Sequence, residues 1–476
     1  MDENREERGR YMGDYYLAID IGASSGRHIL GHIENQKMIL EEVFRFENGM
    51  ESKDGSTCWN LKSLFENIKA GIKKCKEIGK IPVSLGIDTW AVDYVLLGER
   101  DEILGETYGY RDKRTKGMDE EVYKIISEEA LYKRTGIQKQ IFNTIYQLMA
   151  TKKKHPEHLE EAKTFLMLPD YFQFLLTGKK VSEYTNATST QLVDAKTNEW
   201  DRALIEKLGY PKEIFLPLSQ PGTLVGNFTK EIQEEVGFDC KVTLVATHDT
   251  GSAVMAVPTE SDDCLYISSG TWSLMGTQNQ KAICHEESRQ KNFTNEGGYN
   301  YRYRYLKNIM GLWMIQSVRH ELGDTYSFAQ LCEMAEENST FPSRVDVNDE
   351  TFLAPENMQQ AIKAYCRKSG QKVPESVGEI ATVIYQSLAE SYAETAREIE
   401  ALTGKSYDTI HIVGGGSHAT YLNKLTAEKS KRKVLAGPSE ATAIGNLMAQ
   451  MIEDDVFIDL KSARRCVYES FEIKEF

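Results

Sequence analysis

Several short stretches of this chain hold residues whose types and spacing could do chemistry. The turn Gly22-Ala23-Ser24-Ser25-Gly26-Arg27 gathers small residues and hydroxyls directly after an apolar run. Small side chains let backbone N–H groups approach an anion closely, and both serines can donate as well. Arg27 would add charge. Asp20, just before the turn, is placed to hold Mg²⁺ through water. A second turn of the same kind, Ser268-Ser269-Gly270-Thr271-Trp272-Ser273, comes much later. One such turn alone reads as an ordinary tight hairpin; two could grip a polyphosphate. In Thr247-His248-Asp249-Thr250-Gly251-Ser252 the Asp249 carboxylate could act as a general base. Its plainer reading is a helix N-cap. Asp88 and Asp93 flank Trp90, which would either stack on a sugar or sit in the core. Gly414-Ala419 reads GGGSHA, a formal match to the dinucleotide fingerprint. The acid that should follow on the next strand is missing, and Glu440 lies in a loop beyond it. A backbone surface for a purine ring or ribose fits better, with plain helix packing as the alternative.

The elements that must carry these residues follow from apolar patterning. Tyr15 to Ile33 reads as strand, small-residue turn, strand, a hairpin with glycine in the turn. Lys37 to Phe46 predicts a third strand. Leu61 to Ile78 predicts a helix, and the run 83–97 a further strand. The segment 177–191, TGKKVSEYTNATSTQ, reads as a loop, and 241–249 as a strand. Cys264 to Gly276 repeats the hairpin theme. Ser376 and Glu379 form a possible capping box for a long helix over 376–401, whose Ile380, Val383, Ile384 and Leu388 share one face. TIHIV, three glycines and a helix follow. The chain therefore looks duplicated, each half opening on a Ser/Gly hairpin, with a boundary near 245–262. A ligand would then be expected in a cleft between the halves.

Composition narrows the classes. The chain has 476 residues, 41% of them hydrophobic and 27% charged, which is enough for two large folded domains. Its net charge of -15 argues against a nucleic-acid partner, since no basic surplus exists to neutralise phosphates. Eight cysteines without a CxxC pair read as reduced thiols rather than a disulfide frame or zinc site. The charged N-terminus lacks the apolar core of a signal peptide, and no run approaches a membrane span. There is no GxxxxGK[ST] phosphate loop and no G-x-S-x-G nucleophile elbow.

The stretches AIDIGASSGR, GIDTWAVDYVLL, YRDKRT, MLPDYFQFLLTG, EYTNATSTQL, THDTGSAV, SSGTWSLMG, TNEGG, LKNIMGLWMIQ and HIVGGGS make the chain similar to the FGGY carbohydrate kinases, from Tyr16 to about Gln450. LKNIMGLW, MLPDYF and SSGTWSLMG resemble the branch of that family that acts on L-rhamnulose. The resemblance implies an α/β protein with the duplicated actin-like (ribonuclease H-like) ATPase fold. It implies two domains, residues 1–257 and 258–476, with the active site in the cleft between them. Ala23, Ser24, Ser25, Gly26 and Arg27 would be the first phosphate loop. Thr271 would contact ATP in the second, and Gln316 and Gly415 would complete the nucleotide site. Ala91, His248, Asp249, Thr250 and Asn308 would contact the sugar, with Asp249 as catalytic base. Ala91 stands where that branch carries a glycine, so it adds a methyl group. The implied cofactors are ATP and Mg²⁺, and the implied partner is a small ketose, with neither nucleic acid nor membrane. The protein is expected in the cytoplasm as a monomer or dimer. The implied reaction is phosphorylation of L-rhamnulose at C1 in L-rhamnose breakdown, with L-fuculose or D-xylulose as alternative substrates. An actin- or chaperone-like ATPase would instead hydrolyse ATP without sugar. An NAD oxidoreductase would bind nicotinamide and need no Mg²⁺. The first dozen residues have no counterpart in the family and are expected to be loose.

Overall fold

A computed structural model describes residues 13–261 and 263–476. The expectation for the first dozen residues falls outside them. The chain forms two compact units. The first comprises residues up to Ala256 together with Asn279–Tyr305 and Thr442–Ser470. The second comprises Val257–Gln278, Leu306–Ala441 and Phe471–Phe476.

The first unit is built on a six-stranded sheet. Its strands are β1 (Tyr15–Ile21), β2 (Ser25–Glu34), β3 (Lys37–Glu47), β4 (Pro82–Thr89), β5 (Thr223–Asn227) and β6 (Lys241–Leu244), in the order β5-β6-β4-β1-β2-β3. β1 and β2 pair antiparallel with Ile21 opposite Gly26, so the Ser/Gly turn is a hairpin turn as expected. β1 and β4 run parallel with Asp20 beside Asp88. Strand alternation gives the two faces different work. Leu17, Ile19, Ile21, Leu85 and Ile87 enter the apolar core together with Leu64, Ile68 and Ile72 of helix α1 (Leu61–Glu77). Ala18, Asp20, Gly86 and Asp88 occupy the alternate positions, a face of small and acidic residues.

The second unit repeats this plan. A seven-stranded sheet holds β7 (Leu265–Ser269), β8 (Trp272–Asn279), β9 (Tyr303–Met310), β10 (Thr409–Val413), β11 (Lys433–Ala436) and β12 (Lys474–Glu475) in the order β9-β8-β7-β10-β11-β12, with the short strand Thr294–Gly297 at the edge beside β9. β7 pairs antiparallel with β8 and parallel with β10, as β1 does with β2 and β4. The outermost pair is antiparallel in both sheets. The duplication read from two similar hairpins therefore extends to whole sheets. The long helix α4 is Val377–Thr403, and both halves of the Ser376/Glu379 capping box are formed.

Two expectations needed correction. The run 83–97 is not one strand: it breaks after Thr89, and Tyr94–Leu97 pairs in a separate two-stranded sheet. Asp93 is the cause. Its buried carboxylate accepts from Trp59 Nε1 at 2.7 Å, Trp90 Nε1 at 2.9 Å, Tyr110 N at 3.0 Å and Gln147 Nε2 at 2.9 Å. The turn that brings Asp93 to these donors holds Val92 at φ +68°, a conformation β-branched residues rarely adopt. The segment 177–191 is a surface loop only over 178–181. Beyond it the chain forms the short strand Ser182–Glu183 and the helix Tyr184–Thr188, all of whose residues are buried.

Candidate active site

Of the expected sugar and base residues, Ala91, His248, Asp249 and Thr250 lie in the first unit and Asn308 in the second; His248, Asp249 and Thr250 sit together where the chain leaving β6 turns into helix α2 (Asp249–Met255). Thr89, the last residue of β4, bridges to His248, so this turn lies beside the end of the strand that carries Asp88. His248 holds the N-cap position without a side-chain capping bond, and Asp249 is the first helical residue. The N-cap reading of Asp249 therefore falls. Its Oδ1 accepts from the Thr250 backbone N–H at 2.6 Å. Burial, then the nearby charge of Asp20, push its carboxyl up to about 7. Such a group stands close to the pH at which a general base works best.

Buried polar groups support this turn. Glu183, fully buried, accepts from Thr247 Oγ1 at 2.7 Å, Thr185 Oγ1 at 2.6 Å and Asn186 N at 3.0 Å. Arg304 is also fully buried. It donates through Nε to the Gly297 carbonyl at 2.8 Å, through Nη1 to Thr250 Oγ1 at 2.7 Å and through Nη2 to His248 Nδ1 at 3.1 Å. Glu296 Oε2 lies 3.1 Å from Arg304 Nη2. Burial and the guanidinium hold His248 well below the ordinary imidazole range, so it is neutral.

Helix α5 (Ala441–Glu453), a segment distant in sequence, covers the acidic face of the first sheet. Its Asn446 donates to Asp88 Oδ2 at 2.5 Å and to the Gly86 carbonyl at 3.2 Å, and Gln450 donates to the Leu17 carbonyl at 3.0 Å. Gly445 is required there. A Cβ on it would stand 1.8 Å from the Ser252 carbonyl oxygen of α2. Asp88 is pushed well above the carboxylate range by burial, then by Asp20. Its Oδ1 is buried without a hydrogen-bond partner. Asp20 itself accepts from Arg27 Nη2 at 2.6 Å.

In the first hairpin turn, Gly22 N–H donates to the Ser25 carbonyl at 2.9 Å, and Asn48 ties down the Gly22 and Ser24 carbonyls at 2.8 and 3.0 Å. Ser24 is exposed, Ala23 and Ser25 partly so, and Gly26 lies against the Phe46 ring. Ala91 is partly exposed, beside the strained Val92. Trp90 packs on Trp59 with ring centroids 4.0 Å apart and is buried, so the core reading of this indole holds.

The expected nucleotide residues lie in the second unit. Thr271, at the turn between β7 and β8, is exposed and its hydroxyl donates to Gln316 Oε1 at 3.4 Å. Gln316 sits in helix α3 (Trp313–Glu321), and the Trp313 backbone N–H donates to the Thr271 carbonyl at 3.1 Å. The structure thus brings Thr271 and Gln316 together. Gly415 opens a short 3₁₀ turn after β10, with open space where a Cβ would stand, while Gly416 packs on Ser269 Oγ. Asn308, on β9, is partly exposed.

The oxygen-only set of Asp20 and Asp88, with the orphaned Asp88 Oδ1, has the donor chemistry of a hard divalent cation. A different cluster, His155, Glu157 and His158, is the one group among the described residues whose ligand atoms lie within 4.8 Å of one another. Its imidazoles are stacked at 15°, so their in-plane lone pairs run side by side and do not converge on an ion.

Residues 15–256 match the N-terminal domain of the FGGY family of carbohydrate kinases, and residues 265–453 match its C-terminal domain. The chain belongs to this family. The kinase is 53% identical to a rhamnulokinase of Halalkalibacterium halodurans, over 97% of this chain and 98% of that one. It is 44% identical to a rhamnulokinase of Bacillus subtilis, over 97% and 95%. Among solved structures it resembles a ligand-bound xylulose kinase from Lactobacillus acidophilus, with TM-score 0.77 at 17% identity over 97% of this chain and 93% of that one. It also resembles a Plasmodium falciparum glycerol kinase with ADP, with TM-score 0.77 at 13% identity over the same shares. The two-domain FGGY kinase fold is thereby shown, and the oxidoreductase and chaperone-like readings fall.

Sequence reasoning gave no role to Glu183, Glu296, Arg304 or Asn446. Glu183 and Glu296 lie inside EYTNATSTQL and TNEGG, stretches that carried the family resemblance, and an acid amid small polar residues was a usable signal. Nothing in YRYRYLK separates buried Arg304 from half-buried Arg302, because both have the same strand parity.

Proposed function

We propose that this kinase transfers the γ-phosphoryl group of ATP to the C1 hydroxyl of L-rhamnulose, giving L-rhamnulose 1-phosphate and ADP. The observation that carries the reading is the match, end to end, to proteins named rhamnulokinase.

Asp249 would accept the proton of the C1 hydroxyl as that oxygen attacks the γ-phosphorus in line. Its raised pKa lets it take this proton near neutral pH, and the Thr250 N–H fixes its orientation. Ala91, His248, Thr250 and Asn308 would hold the ketose. Ala23 to Arg27 would offer backbone N–H groups and hydroxyls to the polyphosphate. Thr271, Gln316 and Gly415 would receive the nucleotide, with the open face of Gly415 leaving room for it. Mg²⁺ would be held by Asp20 through water, with Asp88 beside it, and would offset the charge on the phosphoryl oxygens. That help matters in a chain of net charge -15, which repels bare ATP.

ADP release from MgATP with L-rhamnulose, L-fuculose, D-xylulose or no sugar tests the reading. Release with L-rhamnulose well above the others is expected. A preference for another ketose would keep the kinase and overturn the substrate, and would turn attention to Ala91. Steady hydrolysis without sugar would overturn the sugar as acceptor.

A further inference from the structure

Arg304 is the largest fully buried side chain among the described residues, and no step of the proposed reaction uses it. Its position sets constraints that propagate outward. A guanidinium can only donate. The hydrogen bond between Arg304 Nη2 and His248 Nδ1, at 3.1 Å, therefore requires a lone pair on Nδ1. Glu296 Oε2, 3.3 Å from the same nitrogen, is itself faced by Arg304 Nη2, so the guanidinium lies against two acceptors at once. The single proton of the neutral imidazole is then on Nε2, which lies 3.1 Å from Thr250 Oγ1 and donates to it. Arg304 Nη1 donates to the same oxygen at 2.7 Å. Both acceptor positions of the Thr250 hydroxyl are thus filled from inside the protein. Its own proton is the one left to give.

We infer that Arg304 is a positioning residue that fixes the direction of hydrogen bonding in the sugar site, locking His248 as the Nε2–H tautomer and leaving Thr250 as a hydroxyl donor to the ligand. The ketose group that meets Thr250 is accordingly an acceptor, an oxygen presenting a lone pair. This rests on the proposal that His248 and Thr250 hold the sugar. The direction of the bonds within the protein does not depend on it.

The decisive measurement is ¹⁵N NMR of the full-length protein labelled at histidine, with His248 assigned by its loss in His248→Gln. The expected pattern is a neutral ring protonated on Nε2 throughout pH 6–8. A ring protonated on Nδ1, or an imidazolium, would overturn the proposal without any variant having to fold. Arg304→Gln, where folded, should lose the fixed tautomer and raise KM for the ketose about tenfold, leaving KM for ATP unmoved. Arg304→Lys, which keeps a donor, should recover part of that loss. An unchanged tautomer in folded Arg304→Gln would overturn the proposal. Thr250→Val should raise the ketose KM about tenfold and Thr250→Ser should not. A ketose KM unmoved in Thr250→Val would overturn the donor role. Failure of the wild-type protein to phosphorylate L-rhamnulose would sink the functional reading instead, while the tautomer result would stand.

Discussion

The residue whose surroundings most constrain function is Asp249. Its folded carboxyl sits at about 7, raised by burial and by Asp20, against an ordinary value near 3.8. A group with a raised acid pKa binds more protons folded than unfolded, so stability falls as pH rises from about 4 to 7. Below that window both states are protonated and the penalty vanishes. Asp249→Asn removes the ionisation. It is expected to abolish turnover while leaving MgATP binding intact, because no nucleotide contact is assigned to this carboxylate. It should also raise Tm at pH 8 by about 2–4 °C, the shift that roughly 1 kcal/mol gives in a domain of this size, and leave Tm unchanged at pH 4. Calorimetry at the two pH values checks the sign. A variant less stable than wild type at pH 8 would mean that the Asp249 charge is stabilised in the fold. For wild type, kcat/KM should rise through a limb near pH 7, reporting the free protein.

At the scale of elements, what patterning could reveal was the hairpins, the amphipathic helix α1 and the capped helix 377–403. Each is specified by residues adjacent in sequence. What it could not reveal was the break at Trp90–Asp93. Hydropathy reads GIDTWAVDYVLL as one strand because Asp93 is a single polar residue in an apolar run. Only the spatial convergence of two indoles, an amide and a backbone N–H on its carboxylate makes the turn. The packing of α5 on α2 was equally hidden. Gly445 looks like a mildly unfavourable helix residue until its distance of approach to Ser252 is known. Gly445→Ala improves local propensity and should still destabilise, by about 1–3 kcal/mol, because the new methyl must displace backbone. Urea unfolding measures this. Since Ser252 lies three residues after Asp249, kcat should fall along with stability. A variant as stable and active as wild type would show that the two helices separate at no cost.

For the whole molecule, the informative feature is how the chain returns. Similar hairpins mark where each half begins, and this was legible. Nothing in the residue types of 279–305 or 442–470 marks them as part of the first unit, because sequence order does not say against what a segment packs. Their contribution is to groups that would otherwise be buried and unpaired. Asn446 satisfies Asp88 and Gly86, Gln450 satisfies Leu17, and Arg304 satisfies His248 and Thr250. Arg464, buried, donates to the Met255 and Val254 carbonyls at 3.0 Å each and so closes the C-terminal end of α2. A chain cut after residue 256 contains a complete hairpin, a complete six-stranded sheet and the Asp249 carboxylate. It nevertheless leaves those polar groups without partners, at about 1–3 kcal/mol each, against a total stability of about 5–15 kcal/mol. The fragment 1–256 is therefore expected not to fold cooperatively. Its urea profile should lack a sharp transition, and amides of β1 and β4 should exchange freely, whereas the full chain protects them. Addition of the separately expressed fragment 257–476 should restore protection, since it supplies both returning segments. A fragment 1–256 that unfolds cooperatively by itself would show that the returning segments complete the active site without holding up the fold.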